Sequence, residues 1–167
     1  MNQRTDTVIV GAGIAGIAAA YYLARSKSRR NVLLVDRGPP MAYTTSKSGE
    51  NFRAYWPQRC MADLCSRSHE LMLQVARDSG SPFKISETGY DFVSQQGNSD
   101  LFQGAQSDDK GVRASLTRIT DRRLLAARFP YLSRETRQVV RIADAGSVDV
   151  HALGSAMLAD ARKHGVR

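Results

Sequence analysis

The 167-residue sequence has only two cysteines and three histidines. Cys60 and Cys65 lie five positions apart on a predicted helix and on different faces of it, and this spacing is neither a zinc-binding nor a redox motif. We therefore expect free thiols, buried or half-buried, and no disulfide. His69, His151 and His164 are far apart, so the sequence contains neither a metal-binding pattern nor the elements of a Ser-His-Asp triad.

Long apolar runs are also missing. No stretch reaches the length of about 18 apolar residues that a membrane-spanning helix requires, so no membrane span is expected. Residues 1–6 contain no signal-peptide pattern, which predicts a cytoplasmic location. The formal net charge of +8 is spread over the chain without a dense basic tract or interleaved aromatics, which argues against nucleic-acid binding. An anionic cofactor or a carboxylate substrate explains this charge, and so does a solvated basic surface without a specific partner.

The sequence does contain a glycine-rich turn between two apolar runs. Residues 8–10 predict a strand that is buried on both faces, and an alanine-rich helix is predicted over residues 14–28. A second buried strand, Val32–Val35, ends at Asp36. Two parallel strands with a crossover helix form one right-handed βαβ unit, which is typical of the α/β class.

The glycine turn has the spacing that binds the diphosphate of a dinucleotide. Gly11 permits the tight turn out of the first strand, and Gly13 lets the backbone approach the phosphates. Gly16 lets the helix pack closely on the strand. The first N–H groups of the helix, around Ile14 and Ala15, point at the diphosphate, where the helix dipole and the unpaired donors favour an anion.

Asp36 follows the second strand at the distance expected of an acid that accepts hydrogen bonds from ribose hydroxyls. The polar loop over residues 43–53 leaves the same edge of the sheet. Its hydroxyl and ammonium groups are suitable donors to phosphate oxygens, so we predict that the loop contacts the ligand. The residues concerned are Thr44, Thr45, Ser46, Lys47 and Ser48.

Beyond this loop the alternation of strands and helices ends. The patterns predict a long helix over residues 59–79 and a β-hairpin formed by residues 83–85 and 90–93. They further predict a surface helix or loop over 98–110, a short helix over 121–128, a strand over 139–142, a turn over 145–149 and a final helix over 151–164.

Gly165 is typical of a helix stop, and Val166 is typical of the start of a strand. A doubly wound sheet needs further parallel strands beside the first two. We therefore expect the sequence to be the front portion of a longer polypeptide, or one piece of an enzyme that a second chain completes.

Taken together, these residues resemble the N-terminal part of the D-amino-acid oxidase superfamily, which includes glycine oxidase and sarcosine oxidase. The resemblance covers essentially the whole chain. It is carried by residues 8–16, Asp36, the loop over 44–53 and the late segments 124–132 and 146–166. It implies FAD as the cofactor and a Rossmann-like FAD-binding βαβ unit followed by the start of an α+β substrate or cap region.

The resemblance also implies a division of the chain and roles for individual residues. Residues 1–80 would form the FAD-binding unit with its loop and helix, 81–143 the start of the cap region, and 144–167 the return helix. The family pattern places Asp36 on the adenosine ribose, and the shorter Asp in place of the Glu of many relatives preserves this contact. The other predicted FAD contacts are Gly11, Gly13, Ile14, Ala15, Gly16, Arg37, Thr45, Ser46, Lys47 and Gly49.

The segment from Gly49 to Arg53 would run under the isoalloxazine ring. Arg53 is the candidate residue that faces the flavin or a substrate carboxylate, with a salt-bridging role as the alternative. The family takes its substrate-clamping residues from later sequence, so no other catalytic residue is assigned.

The implied reaction is oxidation of the C–N bond of an amine or amino acid, with hydride transfer to flavin N5. Two other functions remain open. The glycine pattern and Asp36 also permit an NAD-linked dehydrogenase, although the hydroxyl-rich loop argues against it. A non-catalytic dinucleotide-binding fragment or subunit is the third possibility.

Overall fold

The computed structural model describes residues 4–26, 31–80, 83–96 and 116–167. Its strands form a two-stranded sheet, β1-β2, and two three-stranded sheets, β3-β8-β4 and β5-β7-β6. The predicted α/β class is confirmed, and the segment predicted over 98–110 lies outside the described residues. The elements are β1 (Thr7–Val10), α1 (Ile14–Ala24), β2 (Val32–Val35), a single 3-10 turn (Thr45–Lys47), β3 (Asn51–Arg53), α2 (Arg59–Asp78), β4 (Ile85–Ser86), β5 (Tyr90–Ser94), β6 (Leu116–Ile119), α3 (Arg122–Arg128), β7 (Gln138–Ile142), β8 (Ala145–Val148) and α4 (Val150–Lys163).

Packing divides the chain into two compact units. The first unit comprises Met1–Glu50, Met72–Lys84 and Val148–Arg167, and the second comprises Asn51–Leu71 and Ile85–Ser147. The division into residues 1–80, 81–143 and 144–167 concerns function, and it stays a prediction.

The first unit is built on the parallel pair β1 and β2, in the register Val8↔Leu33 and Val10↔Val35. The expected start of a further strand follows α4, because the N–H of Arg167 donates to the carbonyl of Val32 (3.1 Å) and its carbonyl accepts from the N–H of Leu34 (2.8 Å). These two bonds have the spacing of a parallel ladder.

Burial of the first strand on both faces was a wrong prediction. Val8 and Val10 are 56% and 84% exposed, whereas Ile9 is half-buried on the face that packs against α1. The described helices of this unit cover one face of the β1-β2 pair, so the alternate residues of β1 face outward.

Helix α1 ends at Ala24, four residues before its predicted end at Ser28. The N–H of Arg25 still donates to the carbonyl of Tyr21, four residues earlier. The N–H of Ser26 instead donates to the carbonyl of Leu23, three residues earlier, and the Ser26 hydroxyl donates to the same carbonyl. A serine that bonds to its own local backbone competes with continuation of the helix.

Helix α4 packs against α1 through a small residue. A Cβ on Gly154 would overlap Sδ of Met41 and lie 3.3 Å from Cδ1 of Ile14. The buried face of α4 recurs every three or four residues, at Val150, Leu153, Gly154, Met157 and Ala161.

Arg25 joins three helices of the first unit. Its guanidinium donates to Asp160 on α4 (2.9 Å), lies 3.4 Å from Asp78 at the end of α2, and sits 5.0 Å from the ring centroid of Tyr21 on α1. The hydrogen bond to Asp160 raises the pKa of Arg25 above its ordinary value.

Replacing Arg25 by methionine is expected to lower the free energy of unfolding by about 1 kcal/mol. The expected loss is this large because a network that joins several helices stabilises the fold more than an isolated surface ion pair does. Urea unfolding at low and high salt measures the loss, which should shrink at high salt. Arg59→Met is the matched control, since Arg59 pairs only loosely with Asp63 (3.8 Å) on the same helix. Equal losses in the two variants would show that the three-helix arrangement adds nothing.

In the second unit, both faces of the central strand β7 are buried. One face carries Val140 and Ile142 in a cluster with Tyr55 and Ala145. The other face carries Val139 in a cluster with Ile119 and Leu125, so α3 packs there. The predicted strand at 139–142 and the predicted helices at 121–128 and 59–79 are thus present, to within about two residues.

The predicted hairpin at 83–93 is wrong, because β4 and β5 belong to different sheets. Strand β4 neighbours β8, where a Cβ on Gly146 would overlap the carbonyl oxygen of Ser86. Gly89 then adopts φ +77 and donates its N–H to Ala145 (2.8 Å), which redirects the chain toward β5. Because Gly146 has no side chain, β4 can lie next to β8 instead of pairing with β5.

The segment before the last helix was predicted as a turn, and this prediction is wrong. Ala145–Val148 is strand β8, antiparallel to β3, rather than a turn. The carboxylate of Asp149 caps α4 by accepting from the N–H of Ala152 (2.8 Å), as expected of a helix start. Asp121 caps α3 in the same way, accepting from the N–H groups of Arg123 and Leu124.

The cysteines are both free, and Cys60 is exposed, which corrects the expectation that both thiols are at least half-buried. Within the described ranges, no helix is long and apolar enough to cross a membrane. In the same part of the chain, no group of three His, Cys, Asp or Glu side chains could hold a metal ion.

Candidate dinucleotide site

The glycine turn is fixed by backbone contacts. Gly11 adopts φ +109, which a residue with a side chain rarely does, and its N–H donates to the carbonyl of Val35 (2.8 Å). A Cβ on Gly16 would overlap the carbonyl oxygen of Gly11. Tight turning and close helix–strand packing, the roles predicted for Gly11 and Gly16, therefore match the backbone geometry.

The N-terminus of α1 is open to an anion. Gly13 occupies the N-cap without a side-chain hydrogen bond, and the first turn contains no acidic residue. The N–H of Ile14 donates to Oγ1 of Thr45 (3.2 Å), and a Cβ on Gly13 would lie 3.4 Å from the same oxygen. A predicted loop residue thus lies directly at the helix terminus, where unpaired N–H groups favour negative charge.

Asp36 joins the glycine turn to the end of β2. Its Oδ2 accepts from the N–H of Ala12 (2.7 Å), and its Oδ1 accepts from the N–H of Gly38 (2.9 Å). The bond from Ala12, followed by that from Gly38, lowers the pKa of the Asp36 carboxyl below its ordinary value. Each oxygen of a carboxylate has a second lone pair, so Asp36 retains the capacity to accept from ribose hydroxyls.

A small cavity of about 140 Å³ lies beside Asp36. Part of its lining comes from the C-terminal end of α4 and the residues that follow it. Sequence reasoning missed this contribution because nothing in the α4 pattern indicates which side chains lie beside β2. The additional lining residues are Leu34, Pro40, Leu158, Arg162, Val166 and Arg167.

The loop residues predicted to bind the ligand differ in their surroundings. The Ser46 hydroxyl donates to the carbonyls of Tyr43 (2.7 Å) and Ala42 (3.0 Å), and Lys47 is exposed at the end of the 3-10 turn. The guanidinium of Arg37 lies 5.0 Å from the Tyr43 ring centroid. The roles of these residues toward a cofactor remain predictions, as does that of Gly49.

Two residues other than glycine adopt left-handed backbone conformations at the ends of this loop. Met41 has φ +61 and Glu50 has φ +57. Such conformations cost free energy and persist where the surrounding structure holds them. The N–H of Met41 donates to the carbonyl of Ala12 (2.8 Å), and the carbonyl of Glu50 accepts from the N–H of Val148 (2.9 Å), so both ends of the loop are anchored.

Arg53 belongs to the second compact unit and is half-buried among aromatic rings. Its guanidinium carbon lies 4.2 Å from the Trp56 ring centroid and 5.6 Å from that of Phe92. Among the described residues, Arg53 forms no ion pair, so the salt bridge considered as an alternative role is not observed there.

The first unit thus has the features of a dinucleotide-binding protein of the α/β class: an open helix terminus at the diphosphate position and an acid at the end of β2. The family described as DAO, FAD dependent oxidoreductase, matches residues 6–167. The chain belongs to this family, whose cofactor is FAD. The residues present fit FAD, because Gly13 leaves room for a phosphate at the N-terminus of α1 and Asp36 offers acceptors to a ribose.

Known proteins similar to this chain agree with the assignment. Mitochondrial L-2-hydroxyglutarate dehydrogenase of Arabidopsis thaliana is 34% identical over 87 residues, which are 50% of this chain and 18% of that protein. The solved structure of L-proline dehydrogenase from P. horikoshii has a TM-score of 0.79 at 19% identity. The match covers 100% of this chain and 44% of the dehydrogenase chain. The solved structure of glycine oxidase from Bacillus cereus has a TM-score of 0.71 at 19% identity, and the match covers 98% of this chain and 46% of the oxidase chain.

The solved structures support the fold, and the family assignment rests on the match over residues 6–167. The chain spans less than half the length of these solved structures and about a fifth of the curated relative. The expected membership of the D-amino-acid oxidase superfamily and the expected cofactor class are confirmed.

Proposed function

We propose that this chain is the FAD-binding portion of an oxidoreductase that oxidises the C–N bond of an amine or amino acid. The observation that carries the proposal is the cradle formed by the Gly11 turn, the open N-terminus of α1 and Asp36, in a chain of the FAD-dependent DAO family. The names of the solved relatives, an oxidase of glycine and a dehydrogenase of proline, favour an amino acid as substrate.

In this proposal, the residues of the first unit bind and orient the cofactor. The backbone around Gly11, Gly13 and Gly16, with the N–H groups of Ile14 and Ala15, holds the diphosphate. Asp36 accepts from the adenosine ribose, and Arg37 lies near the adenine. Thr45 already accepts from the N-terminus of α1, so its hydroxyl is suited to contact a phosphate there, together with Ser46, Lys47 and Gly49.

Bound FAD would supply the acceptor, its N5, for the hydride that leaves the carbon bearing nitrogen. The chain itself contributes Arg53, whose planar guanidinium suits bidentate recognition of a carboxylate. Packing against Trp56 and Phe92 restricts the rotation of this side chain. Arg53 would therefore orient an amino-acid carboxylate, and the absence of an acidic partner among the described residues leaves its charge available.

A second candidate reaction is oxidation of a 2-hydroxy acid. It is favoured by the similarity to L-2-hydroxyglutarate dehydrogenase, whose name refers to a hydroxy acid rather than an amine. Oxidation of an amino acid and oxidation of a 2-hydroxy acid both remove a hydride from a carbon next to a carboxylate, so Arg53 would serve either of these substrates.

Spectroscopy and turnover distinguish these functions. We expect the purified protein to carry flavin with an absorption band at about 450 nm, and to release it as FAD on denaturation. A panel of amino acids, simple amines and 2-hydroxy acids is then tested anaerobically for bleaching of that band. Bleaching by amines or amino acids supports the first reaction, and bleaching by hydroxy acids alone supports the second.

Other outcomes contradict the proposal. A colourless protein that binds NAD with micromolar affinity would favour the NAD-linked alternative. Stable flavin without bleaching by any substrate would favour a non-catalytic module. Intact-mass and co-purification measurements show whether a second chain accompanies this one, and the turnover panel is repeated with that chain when it is present.

A further inference from the structure

The structure contains a cavity that shares no residue with the proposed cofactor site. It is half open to solvent, has a volume of about 440 Å³ and lies between α3 and the segment that follows it, in the second compact unit. Ligand-binding pockets typically have volumes of roughly 300 to 1,000 Å³, so this cavity has room for a small organic molecule. It is lined by Arg122, Leu125, Ala126, Phe129, Pro130, Leu132, Ser133, Arg134 and Thr136.

The cavity has an apolar floor that core packing holds in place. Leu125 is buried in a cluster with Ile119 and Val139, and Phe129 and Leu132 pack against that cluster. The N–H of Leu132 donates to the carbonyl of Phe129 (3.0 Å), and that of Thr136 donates to Ser133 (3.0 Å), so turns fix the remaining wall. An apolar ligand body would therefore meet a preformed surface.

The polar lining is positively charged. Residues 116–137 contain six arginines and two acids, giving a formal charge of +4, half of the +8 of the whole chain. Two of these arginines, Arg122 and Arg134, line the cavity. None of the six forms an ion pair with another residue in the described parts of the chain. Uncompensated guanidinium groups recognise carboxylates through charge-assisted hydrogen bonds.

We propose that this cavity binds a small carboxylate with an apolar body. The carboxylate contacts Arg122 and Arg134, and the hydrocarbon portion lies on Leu125, Phe129 and Leu132. The apolar floor favours such a ligand over a purely inorganic anion, which has no hydrocarbon surface to bury there.

Octanoate is the test ligand, titrated calorimetrically into the purified protein in the presence of excess FAD. We expect a dissociation constant below about 1 mM, and octanamide, which has the same chain without the charge, should bind at least about tenfold more weakly. The double variant Arg122→Gln/Arg134→Gln should lose at least about tenfold in octanoate affinity.

Arg123→Gln/Arg128→Gln is the matched control, because it removes the same charge from the same arginine-rich segment, 116–137, without touching the lining. It should change the affinity by less than about threefold. Ala126→Phe fills the cavity without changing charge and should also abolish binding. Arg53→Gln should leave octanoate binding unchanged, which separates this site from the carboxylate position proposed for the substrate.

Three results would overturn the proposal. Wild-type protein that does not bind octanoate at millimolar concentration excludes the site. Equal losses in the two arginine double variants would show nonspecific attraction to the basic surface. Loss of binding in Arg53→Gln, with none in Ala126→Phe, would place the ligand elsewhere.

Discussion

Replacing Gly16 by valine is expected to lower the free energy of unfolding by about 3 kcal/mol or more, enough to unfold a domain of ordinary stability. The new side chain has no room, because even a Cβ would overlap the carbonyl oxygen of Gly11. That carbonyl cannot move freely, since Gly11 is held by its hydrogen bond to Val35 and by its left-handed conformation. Relief of the overlap requires separation of α1 from β1. Urea unfolding followed by circular dichroism measures the loss.

Gly16→Ala and Gly38→Ala provide a matched pair if the valine variant does not accumulate. The alanine at position 16 meets the same overlap, whereas a Cβ on Gly38 would make an ordinary contact at 3.7 Å with Tyr43. We expect a loss of about 2 kcal/mol or more at Gly16 and less than about 0.5 kcal/mol at Gly38. Similar values for the two variants would mean that α1 is not packed against the turn as described.

Gly13→Val separates folding from binding. A Cβ at this position lies 3.4 Å from Oγ1 of Thr45, so the fold should tolerate a side chain far better than at Gly16. The valine nevertheless occupies the space in which the backbone approaches the phosphates, and FAD binding should be abolished. Unchanged FAD content in a folded Gly13→Val protein would contradict the assignment of the diphosphate site.

Replacing Asp36 by asparagine is expected to weaken FAD binding by about tenfold to a hundredfold, measured by flavin fluorescence. The carboxylate accepts from two backbone N–H groups, those of Ala12 and Gly38, one on each oxygen. An amide has one oxygen and one NH2 group, so its NH2 group would face one of the two backbone N–H donors and could not accept from it. The variant also offers fewer acceptors to the ribose, and the charge that draws these N–H groups together is lost.

Asp6→Asn is the control for this substitution. Asp6 also accepts from a backbone N–H, that of Asn31 (2.9 Å), but it precedes β1 and therefore lies at the opposite end of the parallel pair. Its replacement should leave FAD affinity unchanged. Equal weakening in the two variants, or none in Asp36→Asn, would argue against a ribose contact by Asp36.

The same carboxylate predicts a dependence of stability on pH. Because backbone N–H groups lower its pKa in the folded state below the ordinary value of 3.8, Asp36 stabilises the fold above that value. This contribution is lost as the pH falls through the lower folded pKa, where the carboxylate becomes protonated. The difference in stability between wild type and Asp36→Asn should stay constant from neutral pH to about pH 5 and shrink in the acid range below the ordinary pKa.

Local chemistry explains which features were predictable from the sequence. The βαβ unit, the acid at the end of β2, the helix caps at Asp121 and Asp149 and the bounds of α2 depend on neighbouring residues, periodicity and backbone preference. The same applies to Gly11, whose turn requires a positive φ whatever surrounds it. Such features are determined by the residues of one short segment, so they can be predicted from that segment alone.

Strand partners were not predictable in this way. β4 and β5 look like a hairpin by composition, yet β4 neighbours β8 because Gly146, some 60 positions later, has no side chain to prevent close approach. The exposure of Val8 and Val10 likewise depends on which face of the sheet the described helices cover. Pairing and burial are decided by residues distant in sequence, and a local pattern does not contain them.

For function, the sequence by itself determined the family and predicted the cofactor cradle, because the spacing of Gly11, Gly13, Gly16 and Asp36 is set by the backbone geometry of one βαβ unit. Only the tertiary structure decided which side chains complete the surroundings of that cradle. It brought Thr45 to the N-terminus of α1 and Arg162 of α4 to the cavity beside Asp36, and it placed Arg122 and Arg134, which form no ion pair within the described residues, at the rim of a cavity with an apolar floor. The physical reason is that a turn is held by adjacent backbone, whereas a cavity exists only where separate elements pack.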